Sequence, residues 1–124
     1  MKQEEFNDQF RLRTKRSALD IIKLTSPLKY SDALGVLRKQ VIRCSTSVAA
    51  NFRAVCRARS ERERYSKLCT VVEEADETVF WLEMLVEGEF VTTEMVALIE
   101  IEAIEILKVM SSFKKRLEDK SPDH

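Results

Sequence analysis

The feature that most constrains this chain is a run of residues spaced three and four apart. Tyr65, Leu68, Val72, Ala75, Val79, Leu82 and Val86 follow a 3-4-3-4-3-4 step without a break. Only an α-helix brings such positions to one side, because about 3.6 residues complete a turn. A half-buried strand needs alternation at every second residue. A pattern this long also calls for a partner helix along its length, since it is that of a coiled-coil seam.

Three further stretches share the period. In the first segment, residues 4–25, Phe6, Phe10, Ser17, Ile21 and Leu24 share a face that Ala18 and Ile22 widen. Pro27 ends it, and Ser31 or Asp32 is placed to cap the next helix. The second segment, residues 33–58, carries Leu34, Leu37, Val41, Cys44, Val48, Phe52 and Val55. Ser45, Thr46 and Ser47 in its middle are poor helix formers, so packing must hold them, and their small side chains let a neighbour approach. The third segment, residues 61–87, opens on a Ser60–Glu63 capping box and closes on Gly88 as the expected C′ residue. The fourth, residues 93–117, carries Ile99, Ala103, Ile106, Met110, Phe113 and Leu117. Lys114, Lys115 and Arg116 suit the negative end of its dipole, and the tail from Asp119 to His124, with Pro122, is expected to fray. Two Gly and two Pro in 124 residues are too few for the turns of a β domain. The expected fold is all-α: one domain, an up-down-up-down antiparallel four-helix bundle.

The chain holds more apolar surface than that bundle needs. Cys69, Val71, Phe80, Trp81, Met84 and Leu85 lie off the third seam, and Leu98, Ile101, Ile104 and Leu107 off the fourth. One stripe per helix suffices in an isolated bundle. Phe80, Trp81, Met84, Leu85, Ile101 and Ile104 are therefore expected at a homo-oligomer interface. The alternative is a thicker monomer core with scattered surface hydrophobes.

The formal net charge is zero, yet the charges are segregated. Residues 1–67 carry 16 basic and 7 acidic side chains, whereas residues 68–107 carry 11 acidic and none basic. Neutrality therefore excludes no class of partner. Arg53, Arg57, Arg59, Arg62, Arg64 and Lys67 crowd the junction of segments two and three. Arg53 and Arg57 share a helix face, as do Arg64 and Lys67. Arg presents a planar fork of donors that suits phosphate. Contact with RNA or DNA, pairing with acidic residues of another helix or subunit, and a plainly solvated face all remain open.

No catalytic constellation appears. Two glycines cannot make a phosphate loop, and the only His is His124. Cys44, Cys56 and Cys69 fit neither a disulfide framework nor a metal clip, and read as reduced core or interface residues of a cytoplasmic protein. Glu73, Glu74, Asp76, Glu77, Glu100, Glu102 and Glu105 resemble part of a di-metal carboxylate set, but the Glu-x-x-His pairs of such bundles are missing. No metal, cofactor or enzymatic activity is expected. The N-terminus has no apolar signal region, and the longest uncharged stretch, Cys44 to Phe52, is far too short to span a membrane.

Residues 37–91 carry three linked motifs: Gln40-x-x-Arg43-x-x-x-Ser47-x-x-x-Asn51, then Arg57-Ala58-Arg59-Ser60, then Glu74-Ala75-Asp76-Glu77 followed by Trp81-Leu82-Glu83. In these the chain resembles the bacterial four helix bundle protein family, also called the 23S rRNA intervening-sequence protein family. The resemblance implies an up-down bundle that assembles into a homo-pentameric ring. A more remote likeness, to the accessory protein of diversity-generating retroelements, implies nucleic-acid binding. Arg43, Ser47, Asn51, Glu74 and Glu77 are the candidate inter-helix polar network. The chain departs from the family pattern at Ala54, where members often carry Glu, and at Glu73, where they tend to carry Lys. Asn51 is then expected to pair with Glu77 or Ser47 instead.

Overall fold

The computed structural model describes residues 1–120. Four helices follow one another: α1 (Gln3–Thr25), α2 (Asp32–Cys56), α3 (Glu61–Glu87) and α4 (Thr93–Lys120). Their connectors, residues 26–31, 57–60 and 88–92, are short enough that each helix returns antiparallel beside the last. Each packs on its two neighbours, α1 on α2, α2 on α3 and α3 on α4, with α4 closing back onto α1. This is an up-down-up-down four-helix bundle.

Local chemistry sets the boundaries. Ser31 caps α2, its hydroxyl accepting from the Leu34 amide at 3.1 Å. Ser60 does the same for Glu63 at 3.1 Å, but the Glu63 carboxylate turns to Arg59 rather than back to the Ser60 amide, so only half of the capping box forms. α2 ends at Cys56, two residues earlier than expected. Arg57 has already left helical geometry at φ −105°, ψ 9°, which lets the chain reach the extended conformation Ser60 needs as a cap. α4 runs to Lys120, so Asp119 and Lys120 are helical rather than frayed. Tyr65 and Lys114 both engage Glu118 in its last turns. Pro122 and His124 lie outside the described residues.

The expected role of Gly88 is corrected. Gly88 is right-handed (φ −79°), and the left-handed residue is Glu89 at φ 64°. The amides of Glu89 and Phe90 bond the carbonyls of Val86 and Leu85, both at 3.0 Å, closing a Schellman motif. Gly88 is required for a different reason: a Cβ there would lie 2.9 Å from the Met84 carbonyl oxygen and 2.9 Å from the Phe90 ring.

The seam of α3 is also displaced from the sequence reading. Its buried line is Leu68, Val71, Ala75, Thr78, Leu82 and Leu85. Tyr65, Val72, Val79 and Val86 flank this line and are only half-buried. Two apolar clusters fill the bundle. One, around Phe10, Phe52, Leu68, Met110 and Phe113, lies toward the α2–α3 turn; the other, around Ile21, Leu34, Val41, Leu82 and Val96, lies toward the other end. Between them the helices supply a waist of small or hydroxylated side chains: Thr14, Ser17, Ser45, Thr78 and Ala103. Thr14 and Thr78 return their hydroxyl hydrogens to the carbonyls of Phe10 (2.7 Å) and Glu74 (2.8 Å), so burial leaves those donors paired.

Candidate functional site

Antiparallel packing turns the charge segregation of the sequence into a polarity along the bundle. The α2–α3 turn lies beside the start of α1 and the end of α4. There the Phe6 ring meets Phe52 at 6.2 Å and Phe113 at 5.3 Å, and Tyr65 donates to Glu118. Lys114, Lys115, Arg116 and Lys120 thus join the Arg-rich turn at one end. Glu87, Glu89 and Glu94, at the close of α3 and the opening of α4, fall at the other.

The six candidate basic residues divide into three groups. Arg59, Arg62 and Lys67 are exposed at the turn and early in α3. Arg59 contacts Glu63 at 3.5 Å, but its side chain is 89% exposed, so the pair holds it weakly. Arg64 differs: its guanidinium lies 5.2 Å from the Phe113 ring centre and 3.4 Å from Glu61, and it is half-buried. It takes part in the packing of α3 on α4 and keeps only part of its side chain open to solvent.

Arg53 and Arg57 rim a groove between α1 and α2 of about 670 Å³. Its apolar lining is Leu12, Ala18, Leu19, Ile22, Ala49 and Ala50, and Arg11 and Lys15 complete the basic rim beside Asp8. The sequence reading missed this contribution from α1. Arg11, Leu12, Lys15 and Leu19 lie off the apolar face of that helix, and only the packing register brings them beside Arg53.

The candidate polar network proves to be two separate sets. Arg43 spans from α2 to α3, reaching Glu74 and Glu77, each at 3.3 Å, and is steadied by Gln40 at 3.1 Å. Asn51 instead donates to the carbonyl and hydroxyl oxygens of Ser47, both at 3.0 Å, within α2 itself. Ser47 and Asn51 therefore do not join the inter-helix set. Cys44, Glu74 and Glu77 bring three potential metal donors within 4.8 Å of one another, and the Arg43 guanidinium supplies a positive charge there. Burial pushes the Cys44 thiol up to about 12, outweighing the lowering effect of Arg43. All three cysteines are free.

Among the expected interface residues, Phe80, Met84, Ile101 and Ile104 are exposed. Trp81 is half-buried, its ring 4.9 Å from that of Phe80. Leu85 is corrected: at 0% exposure it is a core residue, brought inside by the displaced seam. Leu98 on α4, not among the candidates, is 82% exposed. Among the described residues no helix is long and apolar enough to cross a membrane.

Fold and surface together define a small all-α bundle protein whose surface chemistry lies in guanidinium groups, carboxylates and exposed aliphatic side chains. The chain belongs to the 23S rRNA-intervening sequence protein family, whose family model matches residues 9–112. It is similar to a solved protein of unknown function from the S23 ribosomal protein family of Bacteroides thetaiotaomicron VPI-5482. The two share 31% identity over 88% of this chain and 97% of that one, with a TM-score of 0.80. No curated protein matches the chain.

Proposed function

We propose that this chain is a small non-catalytic bundle that self-associates, in the ring of five that the resemblance implies, and offers its basic end to the phosphate backbone of structured RNA. The observation that carries this reading is the exposure of Arg59, Arg62 and Lys67 at one corner, with Lys114, Lys115 and Arg116 at the same end. Guanidinium groups there need no rearrangement to fork onto phosphate oxygens. The family description names 23S rRNA intervening sequences, and the solved relative is described under a ribosomal protein family. Those words favour RNA over DNA as the partner to test first. Three free cysteines fit a reducing cytoplasm.

The test is a gel-shift series with structured RNA and duplex DNA across salt. Binding through about four phosphates is expected to weaken roughly a hundredfold between 50 and 200 mM salt. A folded protein that binds neither nucleic acid at low salt sinks the reading.

A second reading, an adaptor whose charges serve only subunit pairing, is favoured by the place of Arg53 and Arg57 on an apolar groove. On that reading, charge reversal at Arg57 and Arg59 dissociates the assembly, measured by light scattering.

A further inference from the structure

We propose that the α1–α2 groove receives the outward ridge of α4 from a second copy of this chain, so that copies add head to tail. This rests on the self-association proposed above and names its two surfaces.

The ridge is Glu94, Leu98, Ile101 and Glu105, which step 4-3-4 along α4. They share a face turned away from Ala103, Ile106 and Met110, which point into the core. Leu98 is 82% and Ile101 63% exposed, so two large aliphatic side chains stand in water. Glu94 and Glu105 form no ion pair of their own among the described residues, Glu105 acting on Arg13 only at longer range.

The groove has the complementary pattern. Leu19 and Ile22 are apolar toward one end; Arg11, Lys15, Arg53 and Arg57 make the other end basic, around Leu12 and beside Asp8. Thr46, Ala49 and Ala50 on α2 are small, leaving room for a helix to settle. The spacings agree as well. Leu98 and Glu105 lie as far apart along α4 as Ile22 and Lys15 along α1, about 10 Å at 1.5 Å per residue. With the incoming α4 antiparallel to α1, Leu98 meets Ile22, Ile101 meets Leu19, and Glu105 meets Lys15. The outer pair on α3 is the weaker contender: Phe80 already packs on Trp81, and Glu77 is held by Arg43.

α4 does not line the groove of its own chain, so the contact joins two different patches. Such an association repeats from copy to copy until a ring closes.

Mixing complementary variants tests this. Leu98→Glu spoils the ridge and Ala50→Glu the groove, both at exposed positions. By light scattering after size exclusion, the wild type is expected to be an assembly and each variant a 14.4 kDa monomer that keeps the wild-type helical content by circular dichroism. A one-to-one mixture is expected to give a species of twice that mass, since one ridge and one groove remain intact. Lys15→Glu and Glu105→Lys are each expected to dissociate the assembly, and the double swap to restore it. This pair carries the test if a ridge or groove variant fails to fold. Variants that stay assembled, a mixture that stays monomeric, or a double swap that restores nothing overturns the pairing and leaves self-association to another face. A monomeric wild type overturns both.

Discussion

Arg13 of α1 grips Glu102 of α4 with two parallel hydrogen bonds, Nε to Oε2 at 2.9 Å and Nη2 to Oε1 at 2.6 Å. This ion pair spans the pair of helices that closes the bundle, α1 on α4, and both side chains are partly buried. Hydrogen bonding to Glu102 raises the Arg13 pKa further above its already high ordinary value. A double-mutant cycle with Arg13→Ala and Glu102→Ala is expected to give a coupling of about 1 kcal/mol in urea melts. Arg13→Ala alone should cost more than Glu102→Ala, because the guanidinium also lies 4.5 Å from the Phe10 ring centre. Arg13→Lys keeps the charge but cannot form the fork, and should recover less than half of the coupling.

At the end of α3 the glycine and the left-handed residue stand one position apart. Glu89→Gly relieves a Cβ held at φ 64° and should raise stability by about 0.5–1 kcal/mol after the extra entropy of glycine. Gly88→Ala drives a methyl against the Met84 carbonyl and the Phe90 ring, and should lower it by about 1–3 kcal/mol. Paired thermal melts read both signs.

The displaced α3 seam makes its own prediction. Leu85→Ala should cost about 2–5 kcal/mol of unfolding free energy, as expected of a fully buried leucine. Phe80→Ala, 49% exposed, should stay within about 0.5 kcal/mol of wild type in the isolated subunit. The reverse ranking would overturn the placing of Leu85 in the buried line.

That displacement shows where hydropathy runs out. The four helices were legible because spacing alone fixes which side of a helix is apolar. The rotation of α3 was not, because Thr78 sits in its buried line where the sequence pattern prefers Val72 and Val79. A threonine can occupy such a site when its hydroxyl is paired within its own helix, as Thr78 is to the Glu74 carbonyl. Thr14 and Thr25 do the same in α1, and hydropathy passes over both. The Arg-rich run was equally plain, but its partition was not. Whether an arginine is free or engaged depends on what another helix brings beside it, as Phe113 does for Arg64 and as Leu12 and Lys15 do across the groove from Arg53.

Cys44 links the core to pH. Its thiol holds its proton in the folded protein to about pH 12, against about 9 in the unfolded chain, because burial disfavours the thiolate. Unfolding above pH 9 therefore releases a proton, and this contribution to stability falls as pH rises from about 9 toward 12. Cys44→Ser, whose hydroxyl does not titrate there, should flatten that part of the profile in urea melts taken at successive pH values. In the native protein at neutral pH, thiol labelling should reach the half-buried Cys56 and Cys69 well before Cys44.

The basic corner can be dissected by separating the open residues from the one that is packed against Phe113. Arg62 and Lys67 are exposed and form no ion pair among the described residues. Truncating either to Ala should leave the thermal melt within about 0.5 kcal/mol of wild type. The same change should weaken RNA binding at low salt and lower the salt dependence by about one counterion for each phosphate no longer neutralised. Arg64→Ala should do the opposite. Its side chain covers the Phe113 ring, so its removal should destabilise the bundle by about 1 kcal/mol while leaving the salt slope unchanged. If Arg64→Ala alone reduced the slope, phosphate would have to reach a guanidinium packed between α3 and α4, and the division of the corner into open and engaged residues would fail.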